Sequence, residues 1–341
     1  MRTAEFDYEL PESAIAQQAR PRGTSRLLVL DRGTGAISFA TVRALPALLR
    51  AGDVLLLNDV RVIPARLRVR RPGGGGGELL LVRPLDGTSW EVMARPAKRL
   101  RPGVALALAQ GIAVPQEALG DGRWRVAFDP PLDTEVLAAV GEVPLPPYIR
   151  RDGGATAADR ARYQTVYARD GRAVAAPTAG LHFTPELLAA LEDRDIEIAR
   201  LTLQVGPGTF RPVQVEDPRD HKLDAEDYEI PEATARVLNR ALASGRRIVC
   251  VGTTSCRSLE HALLAGRGRV RPGRASADLL IVPGHRFRGA GALLTNFHLP
   301  RSSLVMLVSA LAGRERVLAA YARAAAAGFR FYSYGDAMLV Q

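Results

Sequence analysis

Two histidines of this sequence stand directly after tight segments at the ends of predicted elements, where they can take part in proton transfer. His182 follows the small residues of A-A-P-T-A-G-L-H, and His298 follows L-T-N-F. A buried histidine with one structural hydrogen bond and a general acid or base both fit such a position. Glu226 lies in the acidic run H-K-L-D-A-E-D-Y and is a third candidate base, although such a run is also typical of a solvated surface.

Three junctions between predicted strands and helices carry small or hydroxyl residues: P-T-A-G-L-H-F-T, V-G-P-G-T-F and V-G-T-T-S. In open α/β sheets, ligands bind at the carboxyl ends of strands, and helix N-termini there favour anionic groups. Gly252, Thr253 and Thr254 are therefore candidates to offer backbone N–H groups to a carboxylate or phosphate. Tight packing beside an ordinary helix start is the alternative. None of the three is a P-loop or a G-x-G-x-x-G turn.

Basic residues recur in two runs without acids, R-V-I-P-A-R-L-R-V-R-R from Arg61 and R-P-A-K-R-L-R from Arg95. The formal net charge of the chain is +10, and all but two of its 46 basic residues are arginine. A basic surface of this kind binds phosphates without reading a sequence. Nucleic acid is the expected partner, and scattered solvated arginines are the alternative.

The elements that must position these residues divide the chain into two parts with different patterns of predicted secondary structure. Residues 1–60 and 144–341 alternate predicted strands and helices, whereas residues 61–143 carry short strand-like runs separated by Gly, Pro and Asp turns. We therefore predict an α/β fold, with a discontinuous mixed α/β main domain (1–60 plus 144–341) and an inserted all-β, barrel-like domain (61–143).

The composition excludes several other classes of protein. Two cysteines exclude a disulfide framework, and no Cys/His spacing suggests a metal site. The first residues have no apolar signal core, and uncharged runs are shorter than the roughly 20 residues of a membrane span. We expect a cytoplasmic protein without a metal and, because two domains of one chain can enclose a site, a monomer.

Long motifs in a fixed order give the chain a family resemblance. They include F-D-Y-E-L-P-E-S-A-I-A-Q, L-N-D-V-R-V-I-P-A-R-L, P-L-P-P-Y-I-R-R, A-A-P-T-A-G-L-H-F-T, V-G-P-G-T-F-R-P-V, L-L-T-N-F-H-L-P-R-S-S-L and F-Y-S-Y-G-D-A-M-L. With these motifs the chain resembles the S-adenosylmethionine:tRNA ribosyltransferase-isomerases of queuosine biosynthesis along nearly its whole length.

The resemblance implies an α/β domain with an inserted β-barrel and a reaction in which S-adenosylmethionine (AdoMet) donates its ribosyl group. A tRNA bearing 7-aminomethyl-7-deazaguanine would become epoxyqueuosine-tRNA, with release of adenine and methionine and without a separate cofactor. The implied AdoMet-binding residues are Thr178, Ala179, Gly180, Gly206, Gly208, Thr209, Gly252, Thr253, Thr254 and Asn296. The implied tRNA-binding residues are Arg61, Arg66, Arg68, Arg95, Lys98, Arg99, Tyr148 and Arg150.

The implied reaction needs a base and a proton donor. The sulfonium acidifies the C5′ hydrogens of AdoMet, so a base can form an ylide and start the loss of adenine. His182, His298 and Glu226 remain open as that base. Asp336 or Tyr334 is expected to protonate the departing adenine. Thr178, Ala179 and Gly180 would let AdoMet approach the backbone.

Three departures from the family pattern keep alternatives open. Gln204 replaces the histidine of the usual H-V-G-x-G-T-F, Asp224 replaces the second histidine of H-x-x-H-x-E, and no histidine stands near I-S-F-A. A non-catalytic tRNA-binding relative and a paralogue that modifies a free deazapurine are therefore the competing interpretations. A hydrogen bond between Gln204 and Asp224 would preserve one family contact.

Overall fold

The chain forms a large mixed sheet covered by helices and a smaller antiparallel barrel, in a computed structural model that describes residues 1–169, 171–206 and 213–341. The α-helices of these residues are α1 (Leu45–Leu48), α2 (Thr134–Val140), α3 (Ala157–Arg162), α4 (Pro185–Glu192), α5 (Glu232–Ala243), α6 (Gly252–Ala265), α7 (Ser303–Ala312) and α8 (Arg314–Ala326). The strands are β1 (Arg26–Leu30), β2 (Ile37–Thr41), β3 (Val54–Asn58), β4 (Arg66–Arg70), β5 (Gly76–Pro84), β6 (Ser89–Arg95), β7 (Leu106–Ala107), β8 (Ile112–Gly120), β9 (Arg123–Asp129), β10 (Gly141–Glu142), β11 (Glu197–Leu203), β12 (Glu226–Ile230), β13 (Ile248–Val251), β14 (Gly273–Ala277), β15 (Ala290–Asn296) and β16 (Ala337–Val340).

Nine strands of the described residues form the large sheet, in the order β14-β12-β11-β3-β13-β15-β16-β1-β2. Its centre is parallel, because β3 pairs in parallel with both β11 and β13, and β13 pairs in parallel with β15. Helices cover both faces, so both faces of β3 are buried: Val54 and Leu56 belong to one core cluster, and Leu55 and Leu57 to the other. This explains why β3 reads as a continuous apolar run.

The strands between Arg66 and Glu142 form a separate antiparallel sheet, in the order β10-β4-β5-β6-β9-β8-β7. A pairing of Arg70 with Ala107 joins β4 to β7 and closes six of the strands into a barrel. Trp90 and Trp124 belong to the apolar cluster that fills the barrel. The predicted α/β class with a barrel-like insert is thereby confirmed.

Two elements of the structure have no counterpart in the sequence prediction. Helix α7 is apolar on every side, so it shows no helical period, and it is buried among other core elements. Strand β8 contains Pro115, and its register with β9 shifts between Pro115 and Glu117. Proline is tolerated at such irregularities but conceals the strand in the sequence.

Two further differences concern boundaries. The run V-R-A-L-P-A-L-L-R-A-G at residues 42–52 has a pattern that predicts one helix, but the structure has a 3-10 turn (Val42–Ala44) followed by the single turn of α1, which carries Pro46. Helix α6 begins at Gly252, although the sequence suggests that V-G-T-T-S leads from the strand into a helix starting at Cys256. The backbone N–H groups of Thr253 and Thr254 therefore belong to the first turn of α6.

Candidate active site

An open pocket lies where β13 and β15 end at the same edge of the large sheet. The carboxyl ends of parallel strands are the usual position of ligand sites in α/β sheets. This pocket is lined by seven of the residues predicted to bind AdoMet or to act as the base: Thr178, Ala179, Gly252, Thr253, Thr254, Asn296 and His298. The structure therefore brings together two of the three small-residue junctions, Val205 at the start of the third, and one of the two candidate histidines.

The first wall of the pocket is a buried 3-10 helix, Thr178–His182. Gly180 within it packs so closely that an added Cβ would lie 2.1 Å from the Tyr167 hydroxyl. Ala179 faces the turn of α6, where a Cβ on Gly252 would lie 3.7 Å from the Ala179 methyl. Because Ala179 and Gly180 of P-T-A-G-L-H are small, this segment can pack closely between the core and the pocket.

We expect Gly180→Ala to lower the free energy of unfolding by about 1–3 kcal/mol, because the new methyl group overlaps Tyr167 in a packed core. Urea titration of the variant checks this value. Gly153→Ala is the control, since no atom lies within 4 Å of the methyl position there. Equal stability of the two variants would show that the core yields to the methyl group.

The second wall is the start of α6. Gly252 has a φ of 86°, and Val251 at the N-cap provides no side-chain cap for the N–H groups that follow. An uncapped helix start carries partial positive charge and N–H donors toward the pocket side. Its chemistry suits a carboxylate or another anion.

His182 is buried behind this pocket, and the described lining does not include it. Its Nδ1 lies 2.9 Å from the Ser25 hydroxyl, and its Nε2 lies 3.3 Å from the Asn296 amide nitrogen. Burial lowers the pKa of His182 to about 4, and the nearby Arg162 acts in the same direction. His182 is therefore a neutral, hydrogen-bonded core histidine that reaches the pocket through Asn296.

His298 lines the pocket directly. Its Nε2 lies 2.8 Å from the Thr295 hydroxyl, and burial lowers its pKa to about 3. Its imidazole is therefore in the neutral form at pH 7. When Thr295 accepts from Nε2–H, the lone pair on Nδ1 is the one that can take a proton.

Glu226 lies in a second pocket, which it shares with Gly206, Gln204 and Asp224. The Glu226 carboxylate accepts hydrogen bonds from Arg257 at 2.7 Å and from the Gly206 N–H at 3.0 Å. Leu304 lines both pockets, so they adjoin. Among the candidate bases, Glu226 is thus an ion-paired carboxylate next to, but not within, the first pocket.

Gln204 and Asp224 line the second pocket together but bond to other groups. The Gln204 side-chain oxygen accepts from the Arg172 N–H at 2.7 Å, and Asp224 accepts from Arg123 at 2.5 Å. Gly208 and Thr209, which were predicted as ligand-binding residues, lie outside the described residues.

Neither proton donor suggested by the sequence belongs to the described lining of the first pocket. Asp336 is fully buried and accepts hydrogen bonds from the backbone N–H groups of Arg26 and Arg330, both at 2.9 Å. The Tyr334 hydroxyl donates to Asp159. Asp336 thereby joins the chain end to β1, and Tyr334 joins it to α3.

The lining also contains residues that sequence reasoning did not select, among them Tyr332 and Ser333 of F-Y-S-Y-G-D. Tyr148, grouped by sequence with the tRNA-binding residues, lines the pocket beside them, with its ring centroid 4.7 Å from that of Tyr332. Tyr332 has a φ of 70°, which is rare for a residue with a side chain. The family motif F-Y-S-Y-G-D marks this segment in the sequence, but the residue types of Tyr332 and Ser333 alone do not indicate a role.

The predicted tRNA-binding cations have different surroundings in the structure. Arg61 lines a broad cleft between the barrel and the edge of the large sheet, together with Arg83, Arg169, Arg172 and Arg274. The other cations lie on the barrel surface or the segment after it. Arg66 bonds the Leu145 carbonyl, Arg68 pairs with Glu142, Arg150 pairs with Glu12, and Arg95, Lys98 and Arg99 are exposed.

Two features are absent from the described residues. No cluster of three His, Cys, Asp or Glu residues in this part of the chain could hold a metal ion. No described helix is long and apolar enough to cross a membrane.

Comparison with known proteins gives consistent matches over the whole chain. The model of the queuosine biosynthesis protein family matches residues 3–340. The S-adenosylmethionine:tRNA ribosyltransferase-isomerases of Geotalea uraniireducens and Geobacter sulfurreducens are 49% and 48% identical, each with 100% of both chains covered. The solved S-adenosylmethionine tRNA ribosyltransferase of Thermotoga maritima is 34% identical with a TM-score of 0.55, covering 99% of this chain and 100% of that one. The similarity therefore includes both the sheet and the barrel.

Proposed function

Because the chain belongs to the queuosine biosynthesis protein family, we propose that it converts 7-aminomethyl-7-deazaguanine in tRNA to epoxyqueuosine with AdoMet as the ribosyl donor. It is an S-adenosylmethionine:tRNA ribosyltransferase-isomerase, an enzyme of queuosine biosynthesis. Full-length identity of 49% to an enzyme of that name is the observation that carries this assignment. AdoMet is consumed as a substrate, and adenine and methionine are released. We expect the enzyme to act as a monomer in the cytoplasm.

The pocket at the ends of β13 and β15 is the proposed AdoMet site. Tyr148 and Tyr332 offer aromatic faces against which the adenine can pack. The hydroxyl groups of Tyr148 and Ser333 lie 2.6 Å apart, and burial raises the pKa of Tyr148, so this hydroxyl pair stays protonated. We propose it as the proton donor to the departing adenine, in place of Asp336 or Tyr334.

Among the three candidate bases, His298 is the one that lines the AdoMet site. We propose that its neutral imidazole removes the C5′ proton next to the sulfonium, which gives the ylide that expels adenine. The aminomethyl nitrogen of the tRNA base then attacks, and methionine leaves as the new ring closes. His182 and Glu226 are assigned positioning roles, because each is bonded to a neighbouring group at the edge of the site.

The tRNA reaches this site, we propose, through the cleft between the barrel and the sheet edge. The second pocket adjoins the AdoMet site at Leu304 and shares Val82, Arg83, Gln204 and Asp227 with the cleft. We propose that these three neighbouring spaces serve as one path. The modified base would occupy the second pocket, and the cleft arginines would contact the phosphates of the anticodon arm.

We expect Arg172→Ala, in the cleft, to weaken tRNA binding and to lower the slope of log affinity against log salt by about one, because one phosphate contact is lost. Arg236→Ala is the matched control, since Arg236 is an exposed arginine of α5 that pairs with Glu232. Filter-binding titrations over a range of salt concentrations measure both variants. An equal loss in the two variants would indicate an effect of net charge alone.

The function itself is tested by incubating the enzyme with AdoMet and tRNA that carries 7-aminomethyl-7-deazaguanine. Mass spectrometry of the tRNA and an assay of free adenine are read together. Adenine release with the matching mass gain on tRNA is expected. Adenine release without a mass gain would favour the free-deazapurine paralogue, and tRNA binding without adenine release would favour the non-catalytic relative.

A further inference from the structure

Asn296, the last residue of β15, carries an unpartnered polar atom in the wall of the AdoMet site. The residue is only 2% exposed and lines the pocket. Its side-chain oxygen Oδ1 is buried and has no hydrogen-bond partner among the described residues. Such an acceptor is costly to leave unpaired in a folded protein, so its presence at a pocket indicates a ligand that donates a hydrogen bond.

The orientation of the amide is determined by its neighbours. The Asn296 Nδ2 lies 3.0 Å from the backbone carbonyl of Tyr332, which can only accept. The same Nδ2 faces Nε2 of His182 at 3.3 Å, so Nε2 must accept as well. The His182 proton then resides on Nδ1, facing the Ser25 hydroxyl. Both contacts use the amide nitrogen of Asn296, so Oδ1 is the amide atom without a hydrogen-bond donor among the described residues.

The start of α6 lies beside Asn296. Val251 pairs with Leu294 in the parallel register of β13 and β15, so the residues that follow on the two strands leave the sheet side by side. Neighbouring strands are about 4.7–4.9 Å apart. The uncapped start of α6 at Thr253 and Thr254 and the side chain of Asn296 therefore line the same pocket from neighbouring strand ends.

We infer that Asn296 and the start of α6 bind the amino-acid end of AdoMet. The α-carboxylate is held by the N–H groups of the first turn of α6, and the α-ammonium donates to Asn296 Oδ1. These two ligand groups share one carbon atom, so they require an anion site and an acceptor at adjoining positions. His182 is a positioning residue that fixes the Asn296 amide. This inference rests on the proposed function, because it assigns one end of its donor substrate.

The test compares AdoMet with 5′-methylthioadenosine, which keeps the adenosine but lacks the amino-acid end. Isothermal titration calorimetry on the full chain should show that Asn296→Ala weakens AdoMet binding about 10- to 100-fold, as expected for a hydrogen bond to a charged group. Binding of 5′-methylthioadenosine should change by less than about twofold. Decarboxylated AdoMet should keep the sensitivity to Asn296 but bind the wild type more weakly than AdoMet.

Asn239→Ala is the matched control, because Asn239 uses both amide atoms to bond the backbone of Val270 away from the site. It should leave the affinity ratio of the two ligands unchanged. An equal loss of both ligands in Asn296→Ala would assign Asn296 to the adenosine end and overturn the inference. The wild-type comparison does not depend on a variant that folds: equal affinity for AdoMet and 5′-methylthioadenosine would also overturn it. Failure of the wild type to bind AdoMet would instead contradict the proposed function.

Discussion

Arg257→Met is expected to lower the free energy of unfolding by about 3–5 kcal/mol, because it breaks the buried ion pair between Arg257 and Glu226. Arg257 and Glu226 are 6% and 5% exposed, and their charged atoms are 2.7 Å apart. The same guanidinium donates to the carbonyl groups of Leu279 and Ala277. One substitution therefore removes one half of a buried ion pair and the side-chain donor to two backbone carbonyl groups.

Arg257→Met should also weaken AdoMet binding. Arg257 lies one turn beyond the start of α6, and Glu226 holds the Gly206 N–H beside the AdoMet site. Without the ion pair, the first turn of α6 and the segment at Gly206 lose their common anchor. Urea titration measures the stability, and calorimetry measures the AdoMet affinity of the same variant.

Arg274→Ala provides the control for this prediction. Arg274 and Glu229 also pair at 2.9 Å, but the pair is exposed and should be worth at most about 1 kcal/mol. The double variant Arg257→Met/Glu226→Leu should be less destabilised than the sum of its single variants, because it removes both buried charges. A loss in Arg257→Met no larger than that in Arg274→Ala would contradict the prediction.

The second large effect is a loss of stability below neutral pH, caused by His182 and His298. Burial lowers their pKa values to about 4 and about 3, from 6.5 in the unfolded chain. As the pH falls below 6.5, the unfolded chain takes up protons that the folded protein does not, so stability decreases until the folded pKa is reached. Each histidine contributes about 1.4 kcal/mol per pH unit in this window.

Urea titrations at pH 7.5 and pH 5.5 measure this effect before most carboxylates titrate. The two histidines together should lower the free energy of unfolding by roughly 3 kcal/mol between pH 7.5 and pH 5.5. His182→Gln and His298→Gln should each reduce the difference by about half. If the stability of a variant changes with pH as much as that of the parent protein, the replaced histidine does not have a lowered pKa in the folded state.

The sequence by itself determined the class of fold and two of the segments that line the site. Alternating strands and helices indicated the large sheet, and the short runs with Gly and Pro turns indicated the barrel, because these periodicities follow from backbone geometry. The small residues at Thr178–Gly180 and Gly252–Thr254 marked two junctions that do meet at one pocket. The long ordered motifs indicated the family, which the full-length matches confirm.

The tertiary structure decided which chemically competent residues face the pocket. His182 and His298 have similar surroundings in the sequence, but only His298 lines the pocket, since the fold directs His182 toward Ser25 and Asn296. Glu226 is paired with a residue 31 positions away. The orientation of a side chain and its partners depends on contacts between distant segments, and no local pattern of residue types encodes them. The unpartnered oxygen of Asn296 is visible only once those contacts are in place.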